Sequence, residues 1–276
     1  MHGQRSRSRR ILSRLASHCR WNVGWVLSLA FVPLTGCRLL LREPKVPMPH
    51  HEYPFAAHER QSTLLVFLPG RGDRPEQFAD EGLLEELRAA NAPVDVWAVD
   101  AHLNYYYRRT IGDRLREDVL APARELGYER IYVVGISLGG LGALMYEVDH
   151  GRTWDGIILL APYLGEDPRL FAQIEAAGGP EQWTPPEETS WDQFQFRLWG
   201  WLGSYRREAD QRPPVWLGVG ADDRFRRPID LFAESLPPER VYRAPGAHRW
   251  PVWRELWREI LPETPLVEPK PVEKTP

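Results

Sequence analysis

The sequence is short of cysteine: two occur in 276 residues, Cys19 and Cys37. With none after position 37, the body has no disulfide scaffold and no thiolate metal site. Acidic residues are missing from the first 36 positions, which carry six arginines. Apolar runs of about 18 residues or more are also absent, and Val23–Leu34 (VGWVLSLAFVPL) is too short to cross a bilayer comfortably as a helix. A basic stripe is lacking as well. Beyond residue 36, 29 basic side chains face 38 acidic ones, giving a formal net charge of −9 against −3 for the whole chain. Nucleic acid is therefore not an expected partner. No internal repeat is visible.

What is present fits a globular body. Hydrophobic residues make up 43% and charged residues 26%, so wholesale disorder is excluded. Some 240 residues suit one large domain or two small ones. Twelve tryptophans suggest extensive aromatic packing or an apolar pocket. Apolar runs at Ser62–Leu68, Pro93–Asp100, Arg130–Val134, Trp154–Ala161 and Pro214–Gly220 read as strands, with Glu239–Arg243 a weaker one. Helical spacing marks Pro75–Ala90, Ile111–Leu126 (ending at Gly127), Leu138–Val148 and Trp250–Leu261. Continuous apolar strands separated by helices predict an α/β fold with a mostly parallel sheet covered on both faces. Residues 165–212 break the rhythm with four tryptophans, and Asp192–Arg207 has the spacing of one helix. This insertion reads equally as a lid over an active site and as a surface helical addition.

The two ends read differently from the body. A basic start followed by a short apolar run has the order of a secretory signal peptide. It ends at Leu34-Thr35-Gly36-Cys37, which resembles the bacterial lipobox. The resemblance implies cleavage before Cys37, acylation of that cysteine, and a membrane-anchored lipoprotein of the bacterial cell envelope. Arg38 stands where an aspartate often signals inner-membrane retention, so an outer-membrane location is weakly preferred. On this reading 1–36 is a signal peptide, 37–60 a proline-containing tether, 61–262 the main domain and 263–276 a flexible Pro-rich tail. His50 and His51 belong to the tether and are read as solvated.

The chemistry is concentrated at Gly135-Ile136-Ser137-Leu138-Gly139, a G-x-S-x-G match expected about 0.06 times by chance in this composition. It lies between a strand and a helix, the context of a nucleophile elbow, where neighbouring side chains would collide in the sharp turn. A dinucleotide-binding G-x-G-x-x-G is absent. From Leu64 to Leu261 the chain resembles the α/β-hydrolase superfamily, and in particular carboxylesterase- and thioesterase-like serine hydrolases. In that fold a nucleophilic serine is followed along the chain by an acid and then a histidine. A serine hydroxyl is a poor nucleophile until a histidine takes its proton and a carboxylate holds that imidazole in the right tautomer. The resemblance makes Ser137 the nucleophile and His248, after the last strand, the base. The acid becomes Asp223, three residues after the strand-ending Gly220, with Asp222 the adjacent alternative. His102 is a rival base that breaks the expected order, and His150 reads as a helix C-terminal cap.

Pro69-Gly70-Arg71-Gly72-Asp73 resembles the HGxGD loop of carboxylesterases and acyl-protein thioesterases, with Pro69 in place of the histidine. The resemblance assigns an oxyanion hole to the backbone N–H groups of Arg71 and Leu138. The Arg71 side chain pairs with Asp73 or meets a substrate carboxylate. Tyr105 and Tyr106, in the run Asn104–Arg108, are candidate substrate-binding residues. No cofactor or metal is expected. The reading is an anchored serine hydrolase for carboxylic esters or thioesters, with a small-molecule acyl substrate. Its rival is a lipid-anchored binding protein that keeps the fold without turnover.

Overall fold

The computed structural model describes residues 42–187 and 193–267. The signal and acylation readings at 1–37 lie outside these. Seven strands form one sheet: β1 (His50–Tyr53), β2 (Thr63–Leu68), β3 (Asp95–Val99), β4 (Arg130–Ile136), β5 (Gly156–Leu160), β6 (Val215–Gly220) and β7 (Val241–Ala244). The spatial order is β1-β3-β2-β4-β5-β6-β7. Every neighbouring pair is parallel except β1 with β3. The central strands are buried along nearly their whole length, which is why their sequences carry no polar alternation. Phe67 of β2 stacks on Phe78 at 4.5 Å and meets Trp257 edge-on at 6.1 Å, tying the flanking helices to the sheet. Indole N–H groups reach into this packing: Trp154 donates to Ala143 O, Trp199 to Leu164 O and Trp257 to Leu83 O.

Two expected helices are interrupted. Pro75–Ala90 splits into Gln77–Asp80 and Leu83–Ala89 at Gly82, whose φ of +86° no ordinary helix accommodates. Ile111–Leu126 keeps its path but widens to π-helix over Leu115–Leu120. Pro122 follows, and lacking an N–H it cannot close an ordinary turn with the carbonyl four residues back.

The tether reading fails over 42–60. Here the chain adds β1 to the sheet edge, with His50 opposite Val99 and Tyr53 opposite Val96. The His50 ring stacks on Trp97 at 4.4 Å, and His51 pairs with Glu76 at 3.3 Å. Met48 is buried, and its N–H donates to Asp118 Oδ2 at 2.7 Å. Asp95 accepts from the N–H groups of Phe55 and Gln61, closing the segment onto the sheet. The start of the tail is packed too: Leu261–Glu263 makes a 3₁₀ turn, and Thr264 and Leu266 are buried. Residues 268–276 lie outside the described ones.

Within the insertion, Pro168–Ala176 and Phe194–Ser204 are helices. Asp167 caps the first by accepting from Arg169 N at 2.9 Å. Trp199 is fully buried, with Phe171 edge-on at 5.8 Å. The second helix packs on Leu138–His150, and Arg197 pairs with Asp149.

Candidate active site

Arg71, Ser137, Asp223 and His248 follow the ends of β2, β4, β6 and β7, at the carboxyl edge of the sheet, the face on which open α/β folds bind ligands. Ser137 lies between β4 and the helix Leu138–His150, at φ +50° and ψ −110°. Such a backbone costs a non-glycine residue on the order of 1–3 kcal/mol and persists only where its surroundings enforce it. Four hydrogen bonds do so. Ser137 N donates to Leu160 O at 3.0 Å, while Ser137 O accepts from Tyr163 N, Gly140 N and Leu141 N at 2.9, 3.0 and 3.3 Å. The motif glycines are steric necessities. A Cβ on Gly139 would stand 2.0 Å from the Leu68 carbonyl oxygen, and one on Gly135 would stand 2.6 Å from the Gly140 backbone.

His248 hangs between β7 and the helix Trp250–Ile260. Its Nε2 is 2.9 Å from Ser137 Oγ, and its Nδ1 is 2.8 Å from Asp223 Oδ2. The other carboxylate oxygen of Asp223 accepts from Phe225 N at 2.8 Å, so both its oxygens are engaged. The Asp223 side chain is entirely buried, whereas Asp222 is exposed and its N–H donates to Gly246 O. Between the two aspartates left open by the sequence, the one at His248 is Asp223. The imidazole is also clamped by rings, with Phe225 and Trp253 each edge-on at 5.0 Å. Neither clamp was anticipated, although Phe225 lies two residues after Asp223.

His102 is elsewhere. It precedes the short helix Leu103–Tyr107, its ring 4.5 Å from Tyr105, and burial and the nearby Arg42 guanidinium push its pKa down. His150 ends its helix as expected, with its ring 4.4 Å from Tyr146.

The loop after β2 reaches the nucleophile: a Cβ on Gly70 would lie 3.6 Å from Ser137 Cβ. Within the described residues the backbone N–H groups of Arg71 and Leu138 donate to no carbonyl. Leu138 opens a helix, whose first N–H groups have no intrahelical acceptor and carry the positive end of its dipole. Asp73 holds the loop instead of pairing with Arg71. Its N–H donates to Gly70 O at 3.2 Å, and its carboxylate accepts from Trp250 Nε1 at 3.4 Å. Burial pushes that carboxyl's pKa up. The Arg71 side chain borders the cavity at Ser137, as does Arg224.

That cavity measures about 750 Å³. Tyr106 lines it, as expected, but Tyr105 does not. Tyr105 is fully buried and serves the N-terminal segment: its hydroxyl donates to Lys45 O and accepts from Lys45 N, both at 2.9 Å. Adjacent residues on one helical turn face about 100° apart, so one binding the core sends the next elsewhere. Tyr107, the third tyrosine of the run Asn104–Arg108, also lines the cavity, as do Tyr163 and Phe194, neither of which the sequence had marked. Tyr163 lies just past the end of β5, at the same sheet edge as Ser137, which was the available signal. Among the described residues no group of three or more His, Cys, Asp or Glu side chains could hold a metal. No helix among them is long and apolar enough to cross a membrane.

Comparison with known proteins agrees with this architecture. No curated protein matches the chain. A ferulic acid esterase is 16% identical with a TM-score of 0.51, over 75% of this chain and 86% of its own. The peroxisomal alpha-beta-hydrolase Lpx1 of Saccharomyces cerevisiae is 17% identical with a TM-score of 0.50, over 83% of this chain and 85% of its own. S-formylglutathione hydrolase FrmB of Staphylococcus aureus is 14% identical with a TM-score of 0.49, over 74% and 80%. At such identities the first two structures share the fold and no more. The model of the alpha/beta hydrolase family matches residues 65–274, most of the body, and the chain belongs to that family.

Proposed function

We propose that this hydrolase cleaves carboxylic ester or thioester bonds through an acyl-enzyme on Ser137. The observation that carries the reading is the single imidazole of His248 bridging Ser137 Oγ and Asp223. In acylation Ser137 Oγ attacks the carbonyl carbon while His248 Nε2 takes its proton. The carbonyl oxygen becomes an oxyanion, for which the N–H groups of Arg71 and Leu138 are the donors. Collapse expels the alcohol or thiol, which leaves with the proton from Nε2. Water then repeats the sequence on the acyl-enzyme and releases the acid. Asp223 keeps Nδ1 protonated and balances the imidazolium, while Phe225 N–H and the flanking rings of Phe225 and Trp253 hold both partners in place. A fluorophosphonate probe tests the nucleophile. The wild type should label and hydrolyse short p-nitrophenyl esters, and folded Ser137→Ala should do neither. Labelling of Ser137→Ala at the wild-type level would move the nucleophile elsewhere.

The same reading carries the protein to a bacterial membrane through lipid on Cys37. Its support is the sequence LTGC directly after a short apolar run and a basic start. Expressed in a bacterial host, the protein should incorporate radiolabelled palmitate and fractionate with membranes, and Cys37→Ser should lose both. An unlabelled, soluble wild type would refute anchoring without touching the chemistry.

A further inference from the structure

The described chain begins at Arg42, and Arg42 stands on the active-site side of the sheet. Its guanidinium pairs with Asp100, just past the carboxyl end of β3, and its carbonyl accepts from Asn104 Nδ2 at 2.9 Å. Further contacts fix the segment there. Glu43 pairs with Arg108 at 2.6 Å, and the Tyr105 hydroxyl holds both the N–H and the carbonyl of Lys45. The helix Leu103–Tyr107 that receives these contacts gives three other residues, Leu103, Tyr106 and Tyr107, to the cavity at Ser137. The N-terminal chain therefore leaves the fold at the rim of the active site.

Distance decides which way a protein anchored at Cys37 faces. Five residue steps separate Cys37 from Arg42, and a chain of that length spans at most about 18 Å. The eight steps from Glu129, at the amino edge, through β4 to Ser137 cover about 26 Å. With the amino edge against a bilayer, Arg42 would stand farther from the lipid than the anchor reaches. The β1 edge is within reach but carries Glu52 and Glu76, whose side chains are 66% and 48% exposed and would lose hydration against lipid. The rim offers Tyr107 instead, 67% exposed and followed by Arg108 and Arg109. A ring with an apolar body and a polar tip, beside long cationic side chains, suits a membrane–water interface. Other charges on this edge are mixed, Arg71 and Arg224 standing with Glu166 and Asp222, so charge alone sets no direction and the anchor does. We infer that the rim around Tyr107 is a membrane-docking surface, and that the acylated protein holds the mouth of its active site against the bilayer. The esters or thioesters it meets are then those carried in or on the lipid surface. The inference rests on acylation of Cys37 and adds the orientation.

The test exploits a body that has no cysteine of its own, so that a single introduced thiol takes the label. Full-length Tyr107→Cys and Glu129→Cys proteins, isolated with their lipid from a bacterial host, are labelled with a nitrobenzoxadiazole fluorophore. They are reconstituted in phosphatidylethanolamine–phosphatidylglycerol vesicles containing phosphatidylcholine spin-labelled at its headgroup. The spin label should quench the fluorophore at 107 and leave that at 129 as bright as in vesicles without it. Arg108→Cys, at the neighbouring exposed site, should behave as Tyr107→Cys does and replaces it if that variant does not fold. Equal quenching at the two edges, or stronger quenching at 129, in protein that carries the lipid would overturn the orientation and leave the anchor standing. Protein that incorporates no palmitate would overturn the anchor and the orientation together, while ester hydrolysis stands or falls separately on Ser137.

Discussion

Replacing Asp223 by asparagine exchanges one carboxylate oxygen for an NH₂ and should nearly abolish turnover, because both carboxylate oxygens act as acceptors. One faces His248 Nδ1 and the other the Phe225 N–H, each at 2.8 Å. An asparagine has a single amide oxygen, so its NH₂ must face one of those two partners. If the NH₂ faced Phe225, two donors would oppose each other in a buried place, at a cost of about 1–3 kcal/mol. If it faces His248 instead, every hydrogen bond survives provided the imidazole shifts its proton from Nδ1 to Nε2. The fold therefore favours the second arrangement, which directs an N–H at Ser137 Oγ and leaves no base to take the serine proton. The same substitution in the serine protease triad lowers kcat about 10⁴-fold by that tautomer error, and a loss of that order is expected here. Asp222 is exposed and contacts the turn through its backbone N–H, so Asp222→Asn should change kcat less than about threefold. Ester hydrolysis under saturating substrate, with circular dichroism to verify folding, reads both variants. A folded Asp223→Asn within tenfold of wild type, or a reversed ranking, would refute the argument.

Four further substitutions probe the surroundings. Gly139→Ala should cost more than about 3 kcal/mol in urea unfolding or prevent folding, since its Cβ would meet the Leu68 backbone at 2.0 Å. Gly151→Ala meets open space but takes φ +75° and ψ −166°, a region nearly reserved for glycine, so it should cost about 1–3 kcal/mol from the backbone alone; an effect larger than that of Gly139→Ala would contradict the steric account. Tyr106→Phe should be neutral or stabilising by up to about 1 kcal/mol, because the hydroxyl is buried without a partner; a loss larger than that would show a bond in solution. Glu147 accepts from the Thr153 and Trp154 N–H groups through one oxygen, and burial pushes its pKa above the ordinary carboxylate value. Its ionised form is therefore disfavoured in the fold, and it removes stability as pH rises from the unfolded pKa through the raised folded one. Glu147→Gln should melt higher than wild type at pH 8 and approach it at pH 4; a gap that does not vary with pH would sink this reading.

What could be read from the sequence depended on how local its physical cause was. β2 to β6 run through a core covered on both faces, and burial wrote their positions into unbroken apolar stretches. The elbow was legible because close backbone approach at residues 135 and 139 admits only glycine, leaving a strict pattern around Ser137. β1 has no such signature. It joins the sheet through main-chain hydrogen bonds at an edge, where half-exposed side chains need no periodicity, and prolines on both sides made it look like a linker. Tyr105 and Tyr106 show the same limit at the scale of one residue. Their chemistry is identical and they are adjacent, yet one hydroxyl ties down Lys45 while the other ring borders the cavity. The choice between Asp222 and Asp223 is of this kind too, since it turns on which carboxylate a histidine 25 residues later can reach. Local sterics and burial leave marks in composition and spacing; the partner across the fold does not, and it is that partner which makes a tyrosine a strut or an aspartate the orienting group of a base.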